Sequence, residues 1–214
     1  MEKLYKLTDK DGYTRKGEKG ETWWSEGFTV VKPKVNKPQL CSFAVVHAYR
    51  NLNLALLLNP IHASLSPLEL WEADGNVVAS DWGKVGCSSL TTIKKLNLPE
   101  WYTNEESRKK VQIKFAVLCA IAVLPFYEEQ YPKDDRPRKA IEAANNRISS
   151  HNAAADAAYA AYAAAADAAY AAYAAAADAA DAAAYAAYAA YAADSINFEI
   201  LADKAVDLIV NKGE

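Results

Sequence analysis

The sequence has few cysteines and no long hydrophobic run. Its 214 residues include three cysteines, and no two of them have the Cys-x-x-Cys spacing. An odd number of unpatterned cysteines does not favour a disulfide framework or a zinc site, and it predicts a protein of a reducing compartment. The longest apolar run covers residues 115–126, which is too short to span a bilayer, and the first residues lack the apolar core of a signal peptide. We therefore expect a soluble, intracellular protein with no membrane contact.

An excess of positive charge is also lacking. The formal net charge is −3, and residues 152–194 contain five aspartates without a single lysine or arginine. Proteins that bind the phosphate backbone of nucleic acids usually present a strongly basic face. For this reason we expect no binding to a nucleic-acid backbone.

Alanine dominates one segment of the chain. It makes up 30 of the 43 residues from position 152 to position 194, and the others are seven tyrosines, five aspartates and one asparagine. An eleven-residue repeat places all seven tyrosines on one side of a helix and bare alanine on the opposite side. Because alanine has the highest helix propensity, this pattern predicts a long Ala/Tyr/Asp helix. Its bare face favours close helix packing, so we expect a homo-oligomer, with a rigid spacer or a tyrosine-lined binding surface as alternatives.

The fold class predicted from the sequence is α+β, with a division near residue 103. Residues 1–103 contain all five tryptophans and most of the glycines, and we expect them to form a small mixed-sheet domain. Alternating patterns predict strands at residues 3–7, 28–32, 68–73 and 90–96, with a turn at Asp74-Gly75. A short helix over residues 52–58, stopped by Asn59-Pro60, and a surface loop over residues 8–25 complete this domain.

Residues 104–214 are expected to be wholly helical. Asn104 is a suitable N-cap, and the acids that follow it favour a helix over residues 104–131, with a kink at Pro125. The segment Asp134-Asp135-Arg136-Pro137 has the acids and the proline typical of a helix start, so a second helix should begin there. We expect that helix to end before the alanine-rich segment.

Seven side chains of the first domain are the candidates for a ligand site. Aromatic rings together with a few charged groups are enough for a binding pocket, and basic neighbours suit a nucleotide-like anion. A hydrogen-bonded structural role is the alternative for each histidine. No nucleophile, base and orienting group stand at a recognisable spacing, so we predict no catalytic residue, no metal site and no cofactor. The candidates are His47, Tyr49, Arg50, His62, Trp71, Glu72 and Lys84.

Motifs along nearly the whole chain resemble a family of uncharacterised proteins from bacteriophages, prophages and gut bacteria. The resemblance covers residues 3–210 and includes Tyr5-Lys6-Leu7-Thr8, His47-Ala48-Tyr49 and Leu70-Trp71-Glu72-Ala73 ahead of the alanine-rich tail. Residues 134–143 separately resemble bacterial immunity proteins that are also alanine-rich after this motif. These resemblances imply a mobile element and conflict between phage and host. Neither brings a known reaction or established site residues.

His47, Tyr49 and Glu72 also resemble the histidine, tyrosine and glutamate set of one class of ADP-ribosyltransferases. That resemblance implies an aromatic ring stacked on nicotinamide and a glutamate that stabilises the ribosyl cation. The wider motifs of the class are not visible in the sequence.

Three functional hypotheses follow. The first is a non-enzymatic binding protein of a phage or mobile element, of counter-defence or immunity type, in the cytoplasm of the bacterial host. It would sequester or block a host defence protein or a small nucleotide signal. The second is a nucleotide-acting enzyme of ADP-ribosyltransferase type, and the third is an assembly protein that uses the long helix. Chemical turnover of the ligand distinguishes the first two.

Overall fold

The computed structural model describes residues 2–148 and 196–213. The chain divides into two compact units, Met1–Tyr102 and Thr103–Glu214. The first contains the strands and the second is helical, so the α+β fold class is confirmed. The assignment of the two units as separate domains stays a prediction.

The N-terminal unit is built mainly from seven strands and one helix in its described part. Strand β1 is followed by a small hairpin and two short strands, then by helix α1, the long strands β6 and β7, and a single turn of helix, α2. The bounds are β1 Glu2–Asp9, β2 Tyr13–Thr14, β3 Thr22–Trp23, β4 Thr29–Val31, β5 Val46–Ala48, α1 Leu52–His62, β6 Leu68–Ser80, β7 Val85–Leu96 and α2 Glu100–Thr103.

The main sheet closes on itself through one pair of residues. Its strands run in the order β1-β6-β7-β4, and β5 also pairs with β7. Tyr49, directly after β5, forms an isolated bridge with Tyr5 of β1. The two backbone N···O distances of this bridge are 2.8 and 2.9 Å. Strands β1, β6, β7 and β5 therefore follow a closed path.

Every pairing between the described strands of this sheet is antiparallel, whereas the sequence suggested a mixed sheet. The reason lies in the connections. Strands β6 and β7 are joined by a tight turn, and a short connection of this kind can only reverse the chain direction.

The ring of strands encloses the core of the unit. Trp24 is almost fully buried in it, and its indole N–H donates to the Thr14 hydroxyl at 3.0 Å. The other core residues are small or aliphatic, which suits a narrow interior. They are Leu4, Val46, Ala48, Ala73, Val85, Cys87 and Leu90.

The turn predicted at Asp74-Gly75 is wrong, because both residues lie inside β6. A side chain at position 75 would meet the Leu90 side chain at 2.8 Å and the Ser89 carbonyl at 2.9 Å. Glycine is therefore required here by close packing between β6 and β7 rather than by a reversal of the chain.

Two further predictions for this unit differ from the structure. Helix α1 continues through Pro60 to His62, so the stop predicted at Asn59-Pro60 is wrong. The side chain of Asn59 accepts from the N–H of Leu65 at 3.1 Å and donates to its carbonyl at 3.0 Å, and these contacts fix the chain just after the helix. The predicted loop over residues 8–25 contains the β2–β3 hairpin.

The helical unit agrees with the sequence in its described part. Its helices are α3 Glu105–Gln130, α4 Arg136–Ile148 and α5 Phe198–Val206, and a π-helical turn, Asp207–Asn211, follows α5. The side chain of Asn104 accepts from the Ser107 N–H at 2.9 Å, which confirms it as the N-cap. Helix α3 packs against α4 and α5, and it continues through Pro125.

By length and composition alone, residues Glu105–Glu129 of α3 are apolar enough to cross a membrane. The core helix of a soluble protein passes the same test, and a third of the most apolar window is buried. The expectation of no membrane contact stays a prediction. The predicted Ala/Tyr/Asp helix, its tyrosine face and the oligomer contact through its alanine face lie outside the described residues.

A lysine is buried inside the ring of strands. The Lys6 ammonium donates to the His47 carbonyl at 3.0 Å and lies 5.0 Å from the centroid of the Trp24 ring. Burial lowers the pKa of Lys6 to about 8, and the charges of Lys32 and Arg15 also act to lower it. Because the unfolded chain keeps the ordinary pKa of 10.5, it binds this proton more tightly than the folded protein does. The free energy of unfolding therefore rises as the pH rises from 8 towards 10.5.

We expect Lys6→Met to stabilise the protein below pH 8. The substitution removes the burial of a charge, which costs about 3 kcal/mol from the shift in pKa. It also leaves the His47 carbonyl without its donor, at a cost of about 1 kcal/mol. Urea denaturation should show a gain of about 2 kcal/mol at pH 7 that shrinks towards pH 10.5. Lys3→Met, at an exposed position of the same strand, is the control, and an equal pH dependence in both variants would contradict the assignment to Lys6.

Candidate functional site

Six side chains gather where β5, the end of α1 and the β6–β7 turn meet. We call this group the histidine cluster. Two of its members come from β5 and the residue after it, one ends α1, two belong to the turn, and one lies in the loop before β5. They are Cys41, His47, Tyr49, His62, Trp82 and Lys84.

One half of the histidine cluster is a row of aromatic rings. The Tyr49 and His62 rings are stacked, with centroids 6.0 Å apart and planes inclined by 16°. The Tyr49 hydroxyl lies 3.3 Å from His62 Nδ1. Trp82 continues the row, with its ring centroid 6.3 Å from that of His62. Tyr49 is buried and Trp82 is 44% exposed, so the row leads from the body of the unit to its surface.

The other half is polar. The Cys41 N–H donates to His47 Nε2 at 2.9 Å, so the proton of the neutral imidazole lies on Nδ1. The Lys84 ammonium lies 3.4 Å from the Cys41 sulfur. Asp81 sets the turn that carries Lys84, because its Oδ1 accepts from the N–H groups of Gly83 and Lys84, each at 2.8 Å.

Both histidines of the cluster are held uncharged near neutral pH. Burial lowers the pKa of His47 to about 4, and the positive charges of Lys84, Lys6 and Arg15 act in the same direction. Burial and then Lys84 lower the pKa of His62. A neutral imidazole binds through hydrogen bonds and stacking rather than by charge. The two histidines therefore offer hydrogen bonds and ring faces rather than positive charge.

The structure brings four of the seven predicted site residues together and places three elsewhere. His47, Tyr49, His62 and Lys84 belong to the histidine cluster. Arg50 forms an ion pair with Glu2 at 2.7 Å. Trp71 is buried, and its indole N–H donates to the Thr8 hydroxyl at 3.1 Å. Glu72 forms ion pairs with Lys3 at 3.2 Å and Lys94 at 3.7 Å.

Glu72 is separated from Tyr49 by a strand. Tyr5 of β1 pairs with Glu72 on one side and bridges Tyr49 on the other. Two strand spacings place the backbones of Glu72 and Tyr49 about 10 Å apart. With Glu72 held by two lysines at that separation, the geometry gives no support to the set of His47, Tyr49 and Glu72 suggested for ADP-ribosyl transfer.

Cys41 and Trp82 were not among the site residues predicted from the sequence. Trp82 follows Asp81 and precedes Gly83 in a turn, and an Asp-x-Gly pattern between two strands signals such a turn. A hairpin centred there would have placed Trp82 beside Lys84. Cys41 had no comparable signal, because its position depends on the long irregular connection before β5.

The described residues hold no group of three or more histidine, cysteine or acidic side chains that could bind a metal ion. Two of the cysteines are poorly suited to act as nucleophiles. Burial raises the pKa of the Cys87 thiol to about 11 and that of the Cys119 thiol to about 12.

In the helical unit, the connection between α3 and α4 carries a second organised group of side chains. Asp134 accepts from the Tyr127 hydroxyl of α3 at 2.8 Å and from the Arg136 N–H at 3.1 Å. Arg138 of α4 binds Glu128 of α3 through two hydrogen bonds of 2.9 and 2.7 Å. These contacts tie the start of α4 to the end of α3. A cavity of about 340 Å³ lies beside them, lined by Glu128, Pro132, Lys133, Asp134, Asp135 and Arg138.

Comparison with known proteins connects the helical unit to a family. The family model described as Imm-5 like putative immunity protein matches residues 102–208. The match includes residues 134–143, so the resemblance of that segment to bacterial immunity proteins is confirmed. Neither the curated proteins nor the solved structures contain a match to the chain. The histidine cluster lies outside the matched residues.

We expect Lys84→Met to raise the pKa of both His47 and His62, since it removes a positive charge that acts on both rings. Because burial is the larger cause, His47 should remain below the ordinary value of 6.5. NMR titration of the imidazole carbons measures both values, with His47→Gln and His62→Gln to assign the signals. Lys94→Met makes the same change beside Glu72 and should leave both pKa values unaltered. Equal pKa shifts in the two lysine variants would contradict the assignment of this effect to the charge of Lys84.

We expect Asp134→Asn to destabilise the helical unit and Asp135→Asn to have little effect. The first change weakens the contacts of Asp134 with Tyr127 and Arg136, and the loss of such a capping group destabilises a helix start. The second removes only an exposed ion pair with Lys139, and exposed ion pairs contribute little to stability. Thermal denaturation of the two variants measures the difference. Equal loss in both would mean that the Asp134 contacts do not hold the two helices together.

Proposed function

The chain belongs to the family of Imm-5 like immunity proteins, and on that premise we propose that it binds and blocks a protein partner. The family match over residues 102–208 is the observation that carries this proposal. It supports an immunity-type role. We propose inhibition by binding alone, in which one molecule of this protein neutralises one molecule of the partner.

The site geometry supports binding rather than turnover. The two histidines of the histidine cluster are uncharged near neutral pH, and Glu72 is held by Lys3 and Lys94. A general acid or base functions best with a pKa near the working pH, and His47, at about 4, lies well below it. Binding by stacked rings and hydrogen bonds needs no such match.

The surface beside the histidine cluster has the composition of a protein interface. Ile61, which precedes His62, is 77% exposed, and Trp82 is 44% exposed. Large apolar and aromatic side chains of this kind form the centres of protein–protein interfaces and carry much of the binding energy. We propose that this surface recognises the partner. The helical unit is what the family shares, so recognition of a particular partner would depend on the unit that the match does not include.

The finer expectations stay predictions. They are a phage or mobile-element origin, a counter-defence role, a nucleotide ligand, self-association and a cytoplasmic location. We propose a protein partner because the surface beside the histidine cluster is apolar and aromatic, and because the family description refers to immunity.

Co-expression tests the proposal directly. Each gene that neighbours this one in its source genome is expressed in a laboratory bacterium, alone and together with this protein. We expect at least one neighbour to arrest growth alone, to be harmless in the pair, and to form a one-to-one complex by light scattering. Protection by far less than one equivalent of this protein would point to an enzyme instead.

Substitutions locate the surface within that assay. Trp82→Ala and Ile61→Ala should each weaken the complex about tenfold or more, as truncation of interface anchors does. Ile93→Ala is the matched control, because Ile93 is an exposed isoleucine of β7. If the control weakens the complex as much as Ile61→Ala, the partner does not dock at the histidine cluster.

A further inference from the structure

Two reactive side-chain atoms from distant parts of the sequence are in contact in the polar half of the histidine cluster. The Lys84 ammonium lies 3.4 Å from the Cys41 sulfur. Cys41 belongs to the loop before β5, and Lys84 belongs to the β6–β7 turn, 43 residues further along the chain. Because the two atoms already touch, a bond between them requires only a small movement of either side chain.

The fold holds the cysteine beside the lysine. The Cys41 N–H donates to His47 Nε2 at 2.9 Å. The preceding side chain, Leu40, packs against Gly86 of β7, where an added Cβ would lie 3.0 Å from Leu40 Cδ2. Lys84 stands two residues before Gly86 in the sequence. The contact between sulfur and nitrogen is therefore set by the packing of the loop on β7 and not by the side chains alone.

Cys41 is also the cysteine that an oxidant in solution can reach. It is exposed, whereas Cys87 is buried and Cys119 is half-buried. Burial raises the pKa of the Cys87 thiol to about 11 and that of the Cys119 thiol to about 12. Because the thiolate is the form that reacts with peroxides, both of these thiols are protected near neutral pH. Oxidation should therefore begin at Cys41.

The Lys84 nitrogen is not held by an acid in the described part of the chain. Its side-chain hydrogen bond is to the Cys41 sulfur. Asp81, the acid of the same turn, directs its Oδ1 to the backbone N–H groups of Gly83 and Lys84. A lysine in an ion pair would have to leave its partner before its nitrogen could attack a sulfur. For Lys84 the sulfur is already the neighbour.

We propose that Cys41 and Lys84 form a nitrogen–sulfur crosslink, a sulfenamide, when the protein is exposed to a peroxide. In the first step the Cys41 sulfur attacks a peroxide oxygen, the O–O bond breaks, and a sulfenic acid and water form. In the second step the Lys84 nitrogen, after losing one proton to the solvent, attacks the sulfur. The S–O bond breaks, and the hydroxyl leaves as water with a proton from the nitrogen.

The two steps balance with hydrogen peroxide as the oxidant. One thiol, one amine and one hydrogen peroxide give one sulfenamide and two waters, and the two electrons lost by the sulfur reduce the peroxide. A small thiol reverses the reaction, because its attack on the sulfur releases the Lys84 amine and leaves a mixed disulfide that a second thiol reduces. The site is thus a reversible modification site for peroxides.

The crosslink would join the loop before β5 to the turn that carries Trp82, whose side chain is 44% exposed. It would fix two segments of the histidine cluster to each other and remove one positive charge from it. This inference goes beyond the proposed function, and its test needs no partner.

The test treats the full chain with hydrogen peroxide and digests it with trypsin. The peptides that contain Cys41 and Lys84 should be recovered as one species, about 2 Da lighter than their sum, that dithiothreitol separates. Lys84→Arg keeps the charge but offers no nitrogen that can lose its proton, so it should leave a sulfenic acid that dimedone traps. Lys94→Arg, at an exposed position of β7, is the matched control and should retain the crosslink.

A second measurement uses the unaltered protein and detects the loss of the Lys84 charge. That charge lowers the pKa of both His47 and His62, and a sulfenamide nitrogen is uncharged near neutral pH. Oxidation should therefore raise both pKa values, and dithiothreitol should restore them. NMR titration of the imidazole carbons measures the shifts, and oxidised Lys84→Arg should show none relative to its reduced form.

Conversion of Cys41 to a sulfinic acid, or to a disulfide between two copies of the chain, without the crosslinked peptides would overturn the proposal. Unchanged histidine pKa values in the oxidised protein would also overturn it. The co-expression assay involves no peroxide, so the proposed function stands or fails independently of this result.

Discussion

The backbone bridge between Tyr5 and Tyr49 is the contact on which the N-terminal unit depends. It joins the end of β5 to β1, so that β1, β6, β7 and β5 form a closed path. Directly paired residues point to the same side of a sheet, and their neighbours along each strand point to the other side. Ala48 and Leu4 therefore face the core inside the ring of strands, while Tyr5 and Tyr49 point to the other face of the sheet, where Tyr49 is also buried. The bridge thus places Lys6 and the Tyr49–His62 stack on opposite faces of one sheet.

This closure also explains why the unusual protonation states occur together. Lys6 lies inside the ring, and its ammonium binds the carbonyl of His47 on β5. The imidazole of His47 points away from the neighbouring core residues Val46 and Ala48. It accepts a hydrogen bond from the Cys41 N–H, and the charge of Lys84 lowers its pKa. The two groups therefore meet at the backbone of one residue, and the charge of Lys6 is among the causes that lower the pKa of His47. The cations and the uncharged histidines are parts of one electrostatic arrangement.

The sequence predicted best where local patterns decide the structure. The N-cap at Asn104, the start of α4 near Asp134 and the strand at residues 3–7 all follow from neighbouring residues. It predicted least well where contacts between residues far apart in the sequence determine the structure. Gly75 signals a turn by its local neighbours, but the close approach of Leu90 and Ser89 makes it a strand residue. Pro60 signals a helix end, yet the contacts of Asn59 with Leu65 place the end after His62. The sequence indicates His47, His62 and Lys84 one by one as candidate site residues, but only the closure of the ring of strands brings them together.

The family match lies in the helical unit, and the candidate site lies in the N-terminal unit. The contacts of each unit suggest a different role for it. The α3–α4 connection owes its shape to contacts between its own residues and the end of α3, since Asp134 binds Tyr127 and Arg136 while Arg138 binds Glu128. A motif that chiefly stabilises a helix pair can be shared by proteins with different partners. The surface around His47 is different in kind, because the exposed side chains of Ile61 and Trp82 leave apolar surface in contact with water, and the burial of the Lys6 charge lowers the stability of the unit. Groups that cost stability are retained where they serve binding. On that ground, we propose that partner recognition belongs to the N-terminal unit, whereas the part shared with the family lies in the helical one.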